Sequence, residues 1–463
     1  MPDPIELTAR LARHGQSHLA FGWDRLTEPE RAALVAQLDA IDFDEVAALH
    51  AGRDAAASAL PPREAIAPVP VVPARAPADV RALGEAALAR GEVAVLLVAG
   101  GQGTRLGFDR PKGAYAVGPV SGASLFQIHA EKVLATARRY GRPVPFLVMT
   151  SQATHADTVA YFEEHAHFGL PRDDVYFFQQ GTMPAVDLAT GKLLLEAPGR
   201  LFLSPNGHGG TLTAVASTGV LEAVAARGVK HVFYFQVDNP LVKICDPDFI
   251  GHHIGASAEA SCKVVFKERP EEKVGVFATV NGRCAIIEYS DMPAEMAAER
   301  EADGTLRYRA GNPAIHLFSV EFLRRVTGKG GLAYHVARKK VPHIDPATGA
   351  TVNPTVENAL KFELFVFDAL PLADRWLVME TSRADEFSPL KNATGTDSPA
   401  TVRASLLALY SGWLARAGAR VPRAADGAPL HAVEVSPLFA LDEAACAAKV
   451  APGTEITGPT YLR

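Results

Sequence analysis

The stretch VLLVAGGQGTRLGFDRPKG, Val95 to Gly113, concentrates residues that can do chemistry. An apolar strand ends at Ala99 and enters a loop holding Gly100, Gly101, Gly103 and Gly107, with Arg105 and Lys112 beside them. Glycine lets backbone N–H groups turn inward and approach phosphate oxygens, and ligands of open α/β sheets bind beyond the carboxyl ends of strands. Two cations in the same loop point to a bound anion rather than a bare tight turn. The dinucleotide fingerprint G-x-G-x-x-G fails, because Leu106 stands at its third glycine, and no G-x-x-x-x-G-K-[ST] occurs. Asp238 directly follows the run VFYFQV, so its carboxylate is expected at the C-terminal end of a strand, in position to hold a hard cation that also binds phosphate. No serine or cysteine nucleophile with a partnered base is evident. A phosphate monoester would need none, being largely a dianion at neutral pH with a second pKa of about 6. His252–His253 and His165 with His167 lack further ligands at metal spacing and are read as solvated surface histidines.

These residues need a sheet to position them. The runs VAVLLVA (93–99), PFLVMT (145–150), VYFFQ (175–179) and VFYFQV (232–237), with a helix from about Leu125, are the apolar, β-branched pattern of strands buried on both faces. The expected fold is α/β, a doubly wound Rossmann-like sheet. Hairpins expected at Gly191 and at Asn281-Gly282 make it mixed, the Asn-Gly pair favouring a type I′ turn. Residues up to about 50 read as amphipathic helix through Leu34, Leu38 and Ile41. Six prolines between Pro61 and Pro77 mark an extended connector. After about 398 an Ala-rich helix precedes VEVSPLFAL and GTEITGPTYL, which read as short strands of a small C-terminal lobe. Three segments follow: 1–80 as helical segment and connector, 81–397 as catalytic domain, 398–463 as terminal lobe.

At 463 residues, 48% hydrophobic and 21% charged, the chain has room for one large core and smaller units. A formal charge of -6 without a basic block argues against a nucleic-acid or membrane partner, so small anions must be met by local cations. Cys245, Cys262, Cys284 and Cys446 lack motif spacing and read as reduced thiols. The opening MPDPIELTARLARHG has no apolar signal core and no later run approaches a membrane span, which leads to the expectation of a cytoplasmic protein.

The glycine-rich loop and the blocks after it resemble the eukaryotic-type UDP-N-acetylglucosamine pyrophosphorylases, relatives of the UDP-glucose pyrophosphorylases, whose signature is LAGGQGTRLG followed by PKG. The resemblance continues through SLFQIHAEK, FFQQGTMPA, VDNPLVKICDPDFIG, KVVFKE with VGVF, HVARKKVPHID, KFELFVFD and DEFSPLKNA, along residues 84–395, and VEVSPL fits it too. It implies a nucleotidyltransferase-type sheet and a reversible uridylyltransferase. UTP and N-acetylglucosamine 1-phosphate would give UDP-N-acetylglucosamine and pyrophosphate by direct in-line attack on the α-phosphate, with Mg²⁺. It further implies that Asp238 lies near Mg²⁺, that Lys391 contacts the phosphates, and that Arg105 and Lys112 steady the departing pyrophosphate, fixed cations being the main catalytic device of such a displacement. Gln180 and the backbone at Gly207 would read the base, with Gly100 and Gly101 beneath the nucleotide. Gly275, Glu288 and Asn312 would face the sugar, and Phe365 and Phe367 would wall its N-acetyl group. His208, in GHGG, stands where the acetylglucosamine branch carries asparagine and where the UDP-glucose and broad-specificity branches carry histidine. The sugar therefore stays open, with N-acetylglucosamine ahead of glucose and galactose. A non-catalytic UDP-sugar-binding protein would be expected to lose Lys112, Asp238 or Lys391, and all three are present.

Overall fold

The computed structural model describes residues 4–54, 60–328 and 331–463. They form two compact units, the larger built from segments 60–179, 212–328 and 369–463 and the smaller from 4–54, 180–211 and 331–368. The three consecutive stretches expected from composition do not coincide with these units. Composition marks where residue usage changes, whereas the units are set by which distant segments pack together.

In the larger unit the elements that matter here are β1 (Ile66–Pro68), α1 (Ala78–Arg90), β2 (Val93–Val98), α2 (Leu125–Tyr140), β3 (Phe146–Thr150), β4 (Val175–Gln179), β5 (His231–Gln236), α3 (Pro247–Gly255), β6 (Ala260–Phe266), β7 (Val276–Val280), β8 (Arg283–Ile287), β9 (His316–Ser319), β10 (Trp376–Glu380) and α4 (Pro399–Arg416). The main sheet has 11 strands, running β1, β7, Ala310–Gly311, β6, β9, β5, β2, β3, β4, with β8 beside β7 and β10 beside β6. β5, β2, β3 and β4 are mutually parallel, whereas β9 is antiparallel to both β5 and β6. The expected mixed sheet is thus present. Val93, Val95 and Leu97 join a core with Phe126, Val133 and Phe233, while Ala94 and Leu96, which point the other way, are as fully buried. A strand covered on both faces needs no polar alternation, which is why VAVLLV is apolar throughout.

The turn between β7 and β8 is the expected two-residue hairpin: Val280 pairs with Arg283, and Asn281 and Gly282 take φ of 50° and 77°. The Pro-rich stretch is extended as expected but also joins the sheet, β1 pairing with β7 and Val72 with Met379. Its place at the sheet edge tolerates prolines, which cannot donate to a ladder. α1 and α3 cross backbone to backbone, since a Cβ on Gly84 would stand 2.1 Å from Pro247 O and one on Gly251 2.0 Å from Val80 O. After α4, Val433–Val435 and Thr460–Leu462 pair as the two short terminal strands.

Two of the histidines expected at the surface are buried. His253 follows Phe249 by one helical turn on the inward stripe of α3; its Nδ1 is 2.8 Å from Ser261 Oγ, and its ring meets His231 edge-on. His167 sits in a turn of positive φ that folds it back beside Phe162. All four cysteines are free, buried and in the larger unit. Among the described residues no helix is long and apolar enough to cross a membrane.

The smaller unit opens with three helices, Pro4–Arg13, Glu28–Asp39 and Phe43–Ala51, where one amphipathic region was expected. Thr27 and Glu30 form a capping box that starts the second. Leu7, Leu11, Leu34, Leu38 and Val46 share a core with Met183, Val186 and Phe362. Gln16 bonds both Gly191 O and Leu193 N, and His18 bonds Leu193 O, which fastens the N-terminal segment to the expected turn at Gly191.

Candidate functional site

β2 ends where hydrophobic burial ends, and the chain turns at Gly100. The glycine loop then closes on itself: Gly103 N–H donates to Arg110 O, and Lys112 N–H donates to Gly101 O. A Cβ on Gly103 would lie 2.6 Å from Phe108 O, and one on Gly113 would lie 2.3 Å from the Phe126 ring, so both positions need glycine for space rather than for φ. The closure aims Lys112 across to the neighbouring parallel strand, and its Nζ lies 3.7 Å from Asp238 Oδ2. Asp238 follows β5 and is 8% exposed. Leu390 N–H donates to Asp238 O at 2.8 Å, which brings the loop carrying Lys391 alongside. The Lys391 backbone is itself held by Asp397 O at 2.7 Å. Arg105 is exposed on the short turn Thr104–Leu106 and has no ion-pair partner among the described residues.

The three sugar-facing candidates also converge in the larger unit. Asn312 N–H donates to Gly275 O at 2.9 Å, and a Cβ on Gly275 would meet Glu288 Oε1 at 2.9 Å. Glycine at 275 therefore lets the Glu288 carboxylate lie against the backbone of that position. The Asn312 side chain turns back on Ala314 N–H.

The other candidates belong to the smaller unit, where the loop 206–210 rests on the strand end at 364–366. Leu364 N–H donates to Asn206 O and Gly209 N–H donates to Leu364 O. Gly207 has φ of 86°, and a Cβ there would stand 2.4 Å from Leu364 O. His208 stacks on Phe365, centroids 5.3 Å apart, and leans on Phe367 at 5.7 Å. Val366 N–H donates to His208 Nδ1, so the ring's proton sits on Nε2. Burial, outweighing the nearby Asp368 carboxylate, pushes the His208 imidazole down to about 4. At neutral pH His208 is thus a neutral hydrogen-bond donor in an aromatic wall. His335 extends that wall, its ring 4.4 Å from Phe365 and its Nε2 2.7 Å from Asp368 Oδ2. Gln180 is 9% exposed, next to Gly181, whose carbonyl accepts from Asn206 N–H.

Asn206 and His335 escaped the sequence reading. Asn206 carries the loop geometry through its backbone, and a Cβ on Gly210 would lie 1.9 Å from its Oδ1. The signal for Asn206 is the run NGHGG, an asparagine at the head of three glycines.

The profile of the UTP–glucose-1-phosphate uridylyltransferase family matches residues 62–419. The chain is 44% identical over 349 residues to the UDP-N-acetylglucosamine pyrophosphorylase of Saccharomyces cerevisiae, covering 73% of each chain. It is 38% identical to UDP-N-acetylglucosamine diphosphorylase 2 of Arabidopsis thaliana, covering 95% of this chain and 91% of that one. Among solved structures, the uridine diphosphate N-acetylglucosamine pyrophosphorylase of Trypanosoma brucei, crystallised with an inhibitor, aligns with a TM-score of 0.80 at 28% identity, over 100% of this chain and 98% of that one. Its profile match and these relatives, spanning most of its length, place the chain in the UTP–glucose-1-phosphate uridylyltransferase family.

Proposed function

We propose that this chain transfers uridylyl between pyrophosphate and a sugar 1-phosphate, making UDP-N-acetylglucosamine from UTP and N-acetylglucosamine 1-phosphate and running in reverse with pyrophosphate. The observation that carries the reading is Lys112 beside Asp238 at the C-terminal ends of the adjacent parallel strands β2 and β5. The names borne by relatives at 38–44% identity support N-acetylglucosamine over glucose.

The sugar phosphate oxygen attacks the α-phosphorus in line, and pyrophosphate leaves. Lys112, Arg105 and Lys391 offset the charge that grows on the phosphate oxygens, and the backbone of Gly100 and Gly101 cradles them. In the larger unit Glu288, beside Gly275 and Asn312, is the candidate acceptor for sugar hydroxyls; in the smaller unit Gln180 and Gly207 are the candidates for the uracil edge, and Phe365, Phe367 and His208 those for the 2-substituent.

Mg²⁺ suits the donor set. It keeps much of its water and is commonly held by one or two carboxylates together with substrate phosphates, and Asp238 offers one carboxylate with a cation at its side. When bound it would neutralise phosphate charge, with Asp238 as its protein ligand. Four free thiols suit the cytoplasm.

The test is to mix the purified protein with UDP-N-acetylglucosamine, pyrophosphate and Mg²⁺ and assay UTP, then repeat with UDP-glucose and UDP-galactose. UTP formation fastest from the acetylated sugar is expected. No UTP from any of the three would defeat the reading, and preference for glucose would overturn the sugar.

A further inference from the structure

Behind the Lys112–Asp238 pair lies a buried polar cluster that the reaction itself does not use. Lys263, on β6, is 0% exposed; its Nζ lies 2.7 Å from Asp246 Oδ2 and 2.7 and 2.8 Å from the two oxygens of Glu386, which is also 0% exposed. Thr381 Oγ1 and Lys243 N–H donate to the same Glu386 carboxylate. Glu386 O in turn accepts from Asn239 Nδ2 at 2.8 Å. Asn239, 2% exposed and next to Asp238, accepts from Ser388 N–H through Oδ1 at 3.1 Å, while Leu390 N–H bonds Asp238 O.

Three hydrogen bonds therefore stitch 238–239 to 386–390, at Glu386 O, Ser388 N and Leu390 N. Each loop is also stiffened by a proline, Pro240 in one and Pro389 in the other. Lys132, on α2, adds a fourth hold by donating to Pro240 O and Val242 O. A buried ion pair is poor evidence of net stability, since apolar replacements often do as well. What such a cluster does supply is a single allowed geometry.

We propose that Asn239 and Glu386 are positioning residues that fix the distance between the Asp238 carboxylate and the Lys391 ammonium, so that both meet the reacting phosphates without rearrangement. This rests on the roles proposed above for Asp238 and Lys391. Lys263, Asp246 and Thr381 hold Glu386 in the one orientation from which its carbonyl reaches Asn239. Displacement of a reacting group by about 1 Å can cost on the order of 10²-fold in rate, so an amide on the residue next to Asp238 suffices to govern turnover.

Two variants test it. Asn239→Ala removes both side-chain bonds to 386–388, together with the one that Leu241 N–H donates to Oδ1, and Thr381→Val loosens Glu386 without emptying space. Expected for Asn239→Ala are kcat about 10²-fold lower, Michaelis constants for both substrates within about threefold of wild type, and faster amide hydrogen exchange at Ser388 and Leu390. Thr381→Val should show the same pattern more weakly. Wild-type kcat and exchange in both variants would overturn the proposal, as would a loss of kcat matched by an equal loss of folded protein. If Asn239→Ala does not fold, Thr381→Val decides alone. A wild-type protein inactive in pyrophosphorolysis would sink the proposed reaction instead, and the exchange measurement would then judge the brace by itself.

Discussion

Lys112 and Lys391, the lysines proposed to meet the phosphates, are carried by different devices, one by the closure of a glycine loop and one by a loop tied to Asp238 O. Losing a pre-positioned cation of this kind costs about 10²–10³ in kcat. Lys391→Ala is thus expected to lower kcat by that order with a smaller change in Michaelis constant; a change confined to the Michaelis constant would reduce the lysine to a binding role. His208 makes a sharper forecast. Held neutral by burial, with its proton on Nε2, it should leave the ratio of kcat/KM for UDP-N-acetylglucosamine to that for UDP-glucose flat from pH 6 to 8, because it protonates only near 4. His208→Asn should raise the ratio, by about 10–200-fold at most if apolar fit alone decides. An unchanged ratio would remove His208 from sugar selection. The placement of Asp238 after a buried strand and of Lys112 at the close of the glycine loop was legible because a strand followed by a charged loop is a local pattern. Asn206 and His335 were not, since their surroundings come from chain segments that meet only in the fold: His208 and Val366, which bond directly, are 158 residues apart.

At the scale of elements, the crossing of α1 and α3 leaves no room at Gly84 or Gly251, where an added Cβ would strike a carbonyl oxygen. Gly84→Ala should destabilise the larger unit by about 1–3 kcal/mol or more, as overpacking does, despite alanine's better helix propensity. A urea midpoint equal to that of wild type would show that the helices can part at no penalty. This effect also travels, because α3 begins one residue after Asp246. The four parallel strands β2, β3, β4 and β5 were readable as apolar runs, and the β7–β8 turn from Asn-Gly alone. The burial of His253 was not: a histidine on a helix turns inward or outward according to which stripe meets the sheet, and the period does not say which. Likewise, the Pro-rich stretch announced extended backbone without announcing that a sheet edge awaited it.

Over the whole molecule, acid should be the weak side. Burial pushes the imidazoles of His129, His231 and His253 down to about 3, about 4 and about 3, from an ordinary 6.5. As pH falls below 6.5 the unfolded chain takes up protons that the fold refuses until pH 3–4. Each histidine thus removes about 1.4 kcal/mol of stability per pH unit across that window, and the three together about 4. Urea midpoints at pH 7, 6 and 5 should fall steeply; equal midpoints would mean that these rings find protons in the fold. The grouping of distant segments into two units was beyond sequence reading, because no local pattern tells 180–211 that it packs with the N-terminal helices. That grouping also leaves every thiol in the larger unit and none in the smaller. Cys245, Cys262, Cys284 and Cys446 therefore act as an internal clock. With a thiol-reactive dye in native buffer, colour should develop only as fast as the larger unit opens, so one tube and a stopwatch can time the breathing of the larger unit while the smaller stays silent.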